Sequence, residues 1–228
     1  MSVIPLESNP DVINKFLKNM GVPEKWQVTD VYGLDEDMLA IVPRPVLSLM
    51  LLFPTSQNYE DHCVNENANI EEKGQKKSSN IYYMKQYLHN ACGTVAVIHS
   101  VANNLSKIQL NDGCLKDFLF GSTNLSPEER GELLQKHEGI IEAHKAVASE
   151  GQTGPPRADS EVDYHFIAFV CCDGQLYELD GERPFPIARG SSSPETLLED
   201  AARVIKEFMA RDPDNVNFSL MALTSASD

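Results

Sequence analysis

The feature that most constrains this chain is a two-residue turn. Residues 164–180 read YHFIAFVCCDGQLYELD, two apolar runs joined by Asp173 and Gly174. Aspartate and glycine tolerate the positive φ that tight hairpin turns require, so the pair predicts a hairpin with a two-residue loop. That loop length sets the register. Cys172 faces Gln175, Ile167 faces Asp180, and His165 faces Glu182. Alternate residues share a face, so His165, Ile167 and Asp180 point the same way. His165 and Asp180 are then diagonal neighbours, about 7–8 Å apart at Cα and closer at the side chains. An imidazole–carboxylate hydrogen bond is within reach. Such a pair is a general base with the group that fixes its tautomer. It is also simply a strand histidine and a carboxylate closing the turn at LDG. A nucleophile elsewhere in the chain decides between them.

Residues 86–104, QYLHNACGTVAVIHSVANN, offer one. Cys92 stands where a polar segment gives way to an apolar helix. A helix start presents unpaired N–H groups and the positive end of the dipole, both of which favour thiolate over thiol. Gly93 leaves room for an incoming carbonyl. Gln86 and the Cys92 N–H could both donate to the oxygen of a tetrahedral intermediate. Cysteine as core filler, glycine as helix breaker and glutamine on a loop are the plain alternatives; the combination argues for chemistry. Among the six histidines, His89 lies too close to Cys92 in sequence, and His99 lies about 10.5 Å up the same helix. His62, His137 and His144 sit in charged segments and are expected in solvent. Cys171 and Cys172 face opposite ways on one strand, and Cys63 and Cys114 have no base in view.

The rest of the chain supplies a frame. Asn9 as N-cap, Pro10 in the first turn, the stripe Val12, Ile13, Phe16, Leu17 and Met20, and Gly21 as terminator define a first helix. DEDMLAIV (35–42) is a second, PRP (43–45) forces an extended entry, and VLSLMLLF (46–53) is a buried strand. Residues 56–80 predict a helix and a mobile surface loop around EEKGQKKSSN. The cysteine helix covers 92–104, and GCLKDFLF is another short helix. Ser126, Pro127 and Glu129 open one or two helices ending near Gly151. Residues 150–163, EGQTGPPRADSEVD, carry no apolar period and must be a loop; one this long is usually functional or disordered. A helix capped at Ser193 with Pro194 in its first turn and a final strand, VNFSLMALT, complete the chain. Early helices and late strands predict an α+β fold around a mostly antiparallel sheet.

Composition narrows the function. With 42% hydrophobic residues in 228, the chain buries a sizeable core. No run approaches the roughly 18 apolar residues of a membrane span, and MSVIPLESNP has no signal-peptide pattern, so cytoplasm or nucleus is expected. Five cysteines without a CxxC spacing support neither a disulfide framework nor a zinc knuckle. A net charge of −15 argues against nucleic acid and anionic membranes as partners, permits a basic one, and is also an ordinary solubility feature.

At this point the residues resemble a known family. MKQYLHNACGTVAVIHSVANN, with DYHFIAFV, GQLYELDGERPFPI and EFMARDPDNVNFSLMAL after it and PLESNPDVINKFLKNMGV and WQVTDVYGLDEDML before it, is similar to the ubiquitin carboxyl-terminal hydrolases. The likeness covers essentially the whole chain and is closest to short, single-domain members. It implies a papain-like cysteine protease of one domain over residues 1–228, an α/β core with a deeply knotted backbone, and no cofactor. Cys92 is then the nucleophile, His165 the general acid/base, Asp180 its orienting group and Gln86 an oxyanion donor. A crossover loop at 148–163 would restrict leaving groups to small or unfolded ones. Ubiquitin would be held by Pro5, Leu6 and the area around Leu34 and Phe218, with Asp30 meeting its basic tail. The implied reaction releases adducts from ubiquitin's terminal glycine through an acyl-enzyme thioester. A monomer is expected, with related ubiquitin-like modifiers open as further partners. Two rivals keep the same residues: a protein that sequesters ubiquitin with negligible turnover, and a thiol redox sensor at Cys92.

Overall fold

The computed structural model describes residues 2–152, 154 and 163–226. Its centre is a six-stranded antiparallel sheet in the order β1-β6-β2-β3-β4-β5. The strands are β1 (Trp26–Asp30), β2 (Val46–Pro54), β3 (Tyr164–Cys172), β4 (Gln175–Leu179), β5 (Ile187–Ser191) and β6 (Ser219–Ser225). The β3–β4 hairpin has the predicted register, Cys172 opposite Gln175 and Ala168 opposite Leu179. Asp173 at φ 50° and Gly174 at φ 75° make the turn, the left-handed geometry that selected those residues. The two outermost strands, β1 and β5, carry no strong strand signal. WQVTD and IARGS are short edge strands, half-exposed and polar on one side, so neither shows a sustained apolar alternation.

Helices cover both faces. On one lie α1 (Pro10–Met20), α4 (Cys92–Ala102), α5 (Cys114–Gly121) and α7 (Glu138–Ala148), packed with Leu47, Met50, Phe166, Ala168 and Val170 of the sheet. On the other lies α8 (Leu197–Arg211), against Leu49, Leu51, Ile167 and Phe169. Past the register shift between Val46 and Ser48, which breaks the pattern at Leu47, the strand alternation assigns one set to each core. Every residue of α4 from Cys92 to Val101 is buried, as an all-round apolar helix must be. In α1, Asn9 accepts from the Asp11 N–H and Gly21 at φ 96° ends the helix, as predicted. The helix α6 (Pro127–Leu134) opens with a reciprocal capping box between Ser126 and Glu129.

Four expectations are corrected. The second helix, α2, spans only Glu36–Ala40, capped by Asp35. Ser193 caps a turn, accepting from the Glu195 and Thr196 N–H groups, and α8 starts one turn later behind Thr196. The short hydroxyl found local backbone donors before the helix began. The segment after α3 (Gln57–Lys73) is tied down: Gln75 donates to Pro186 O and accepts from Ala188 N, while Ser78 and Asn80 both bond Asp173. His144 is buried, its ring between Thr94 Oγ1 at 2.7 Å and Ile4 O at 2.6 Å. Its neighbours in sequence are charged, but it lies on the inner face of α7, and the helical period overrides local polarity. Most of the expected crossover loop at 148–163 lies outside the described residues.

Candidate active site

Three elements converge at one end of the sheet. The hairpin brings His165 and Asp180 together, with His165 Nε2 2.7 Å from Asp180 Oδ1 and both side chains almost fully buried. The helix layer of α1, α4, α5 and α7 brings Cys92, at the first position of α4, into the same cleft as the imidazole. Since Asp180 occupies Nε2, Nδ1 is the nitrogen that serves Cys92. Glu182 Oε1 stands 3.9 Å from Nδ1 on that side. A cleft of about 450 Å³ opens over these groups and is lined also by Gln86, Asn90, Tyr59, Glu60 and Asp163.

The electrostatics run in one direction. Burial pushes the Asp180 carboxyl up, but His165, the Glu182 N–H and the Tyr59 hydroxyl outweigh it and hold the group down at about 2. Burial pulls His165 down, yet the Asp180 charge and hydrogen bond, with Cys92, raise it well above an ordinary histidine. Opposite charge and hydrogen bonding to the charged forms both act here. An imidazolium flanked by a carboxylate and a thiol is what a thiolate nucleophile needs beside it.

Gln86 is placed by its backbone, whose N–H donates to Gly181 O at 2.8 Å. A side chain at 181 would put its Cβ 2.9 Å from Gln86 Cβ and 3.0 Å from Val95, so only glycine permits that approach. The Gln86 carbonyl oxygen is the buried end of its amide, leaving the NH₂ end toward the cleft. Gly93 plays a similar part beside Cys92: a Cβ there would meet Leu6 at 3.2 Å and Phe166 at 3.3 Å.

Of the four predicted chemical residues, Cys92, His165 and Gln86 line one cleft and Asp180 stands behind His165; the other five do not line it. Leu6 is buried against Gly93, behind the nucleophile, and Pro5 beside it is half-buried. Asp30 ends β1, opposite Met221, with its carboxyl pushed up by burial and by Asp11. Leu34 and Phe218 are half-buried on the α8-side core. Among the cleft residues that escaped the sequence reading, three stand nearest the chemistry. Asn90 holds a left-handed backbone at φ 62°, a conformation asparagine tolerates, two residues before Cys92. Glu182 was visible as the residue opposite His165 in the hairpin. Tyr59 comes from a polar helix 121 positions from Asp180, and no local pattern marks it.

The model of the ubiquitin carboxyl-terminal hydrolase family 1 matches residues 3–210. The chain is 51% identical over 222 residues to a ubiquitin carboxyl-terminal hydrolase of Drosophila melanogaster, covering 97% of each chain. It is 46% identical over 229 residues to the human ubiquitin carboxyl-terminal hydrolase isozyme L1, covering 100% of each. The crystal structure of the Trichinella spiralis UCH37 catalytic domain bound to ubiquitin vinyl methyl ester superposes with a TM-score of 0.76 at 26% identity, covering 98% of this chain and 95% of that one. The chain belongs to the ubiquitin carboxyl-terminal hydrolase family. The papain-like fold class read from the sequence is the fold it has.

Proposed function

We propose that Cys92, His165, Asp180 and Gln86 carry the reaction of this family in this chain, a deubiquitinating cysteine hydrolase. The observation that carries the assignment is the buried His165–Asp180 pair at 2.7 Å with Cys92, at the head of α4, lining the same cleft as that ring. Cys92 Sγ attacks the carbonyl of ubiquitin's terminal glycine. The Gln86 amide and the Cys92 N–H receive the developing oxyanion. The proton held on His165 passes to the leaving group as the C–N, C–O or C–S bond breaks, leaving a thioester. A water then gives its proton to His165, attacks the thioester, and releases ubiquitin with Cys92 restored.

The reading treats residues 1–228 as one catalytic unit, monomeric, with the family's knotted backbone. It places the protein in a reducing compartment, cytoplasm or nucleus, where its five free cysteines stay reduced. The described ends of the 148–163 loop support a crossover beside the cleft. Glu150 pairs with Lys15 of α1, and Asp163 lines the cleft itself. Leaving groups are accordingly small or unfolded. Ubiquitin docks against Asp30, Leu34 and Phe218, with Pro5 and Leu6 supporting the wall behind Gly93; related modifiers compete for the same surface. Covalent capture tests the core of this reading. Ubiquitin bearing a C-terminal vinyl methyl ester is expected to label one cysteine, and peptide mapping should place the adduct on Cys92. An adduct on Cys63, Cys114, Cys171 or Cys172 instead would sink it.

A further inference from the structure

Asp180 receives one donor that belongs neither to the hairpin nor to the imidazole. Its Oδ1 takes His165 Nε2–H at 2.7 Å and the Glu182 N–H at 2.8 Å. Its Oδ2 takes the Tyr59 hydroxyl at 2.9 Å. Two donors on one oxygen leave the carboxylate free to swing about its Cβ–Cγ bond; a third on the other oxygen fixes its plane. Because the carboxylate has no proton to give, the hydroxyl proton must point at Asp180. The same carboxylate oxygen set thus carries three donors from three separate parts of the chain.

The ring of Tyr59 is held independently of that hydrogen bond. It meets Phe53 edge-on at 4.7 Å between centroids and lies tilted at 6.0 Å from Phe208. Its hydroxyl is thus delivered to a fixed point. We propose that Tyr59 is a positioning residue for catalysis, locking the carboxylate plane of Asp180 so that His165 presents Nδ1 to Cys92. This rests on Asp180 orienting His165, as proposed above.

Tyr59→Phe keeps the ring and its packing and removes only the hydroxyl. Turnover of a ubiquitin C-terminal fluorogenic amide should fall about tenfold in kcat, with KM within about twofold, as expected for losing one hydrogen bond to a charged group. The downfield ¹H resonance of His165 Nε2–H should shift or broaden, a change that loss of packing alone does not produce while the melting temperature holds. Unchanged kcat and an unchanged resonance in a folded Tyr59→Phe overturn the proposal. If that variant fails to fold, 3-fluorotyrosine placed at 59 decides. It keeps the ring and its packing while changing the strength of the hydroxyl donor, and a moved resonance with a changed kcat supports the inference, whereas no change in either overturns it. A wild type that turns over nothing while the resonance still responds to Tyr59→Phe would fault the enzymatic reading and leave the positioning contact standing.

Discussion

The two helices that wall the cleft are built on opposite principles. α4 delivers Cys92 by burial: from Cys92 to Val101 it has no exposed residue. α3 delivers Tyr59 to Asp180, yet none of its residues is fully buried. Apart from the Tyr59 ring on Phe53 and Phe208, it is held by Glu66, which pairs with Arg183 at 2.6 Å and with Arg189, while Arg189 also pairs with the fully buried Glu178 at 2.7 Å. Burial pushes the Glu66 carboxyl up, but the two arginines overcome it and hold the group at about 2. One wall is fixed by close packing, which tolerates no lost volume. The other is fixed by charge, which tolerates no lost partner. The nucleophile stands on the first and the orientation of its base depends partly on the second.

The largest expected effect lies where the walls meet. Asp180→Asn should lower kcat by at least about a hundredfold, because an amide offers His165 the wrong partner for its imidazolium. Its effect on stability depends on pH in a defined way. Asp180 titrates low in the fold, so its contribution is present above the unfolded value of 3.8 and is lost as pH falls toward 2. His165 titrates high in the fold, so its contribution is complete below the unfolded value of 6.5 and is lost as pH rises through the folded one. Chemical denaturation should find the difference between wild type and Asp180→Asn greatest from about pH 4 to 6.5. A difference that grows above that window contradicts the pairing.

Next come the walls themselves. Ile98→Ala leaves a void in α4 and should cost about 2–5 kcal/mol of global unfolding free energy. Glu66→Gln leaves two arginines short of a carboxylate and should cost about 1–3 kcal/mol, and hydrogen exchange should speed up along α3 before α4 responds. Equal acceleration in both helices would erase the contrast. The smallest effect belongs to Val64 on the outer face of α3, 68% exposed, where alanine should change stability by less than about 0.5 kcal/mol.

How far the sequence revealed this site follows the same division. The hairpin was readable because a two-residue turn leaves one register, and that register carried His165 and Asp180 to each other. Cys92 was readable because glycine follows it at the head of an apolar helix. The resemblance then joined the two. Tyr59 was not readable: α3 has no apolar stripe, and its contacts are made across the fold by polar atoms that leave no period. His144 was misread for the converse reason, since charged neighbours in sequence hid an inward-facing position. The edge strands β1 and β5 escaped because half-exposed strands need not alternate.

The most direct test of the account is hydrolysis of a ubiquitin C-terminal fluorogenic amide by wild type and by Cys92→Ala. The account predicts steady turnover by the wild type and none by the variant, with ubiquitin binding preserved in both. A folded wild type that binds ubiquitin but does not turn over, or a Cys92→Ala variant that still does, would contradict it.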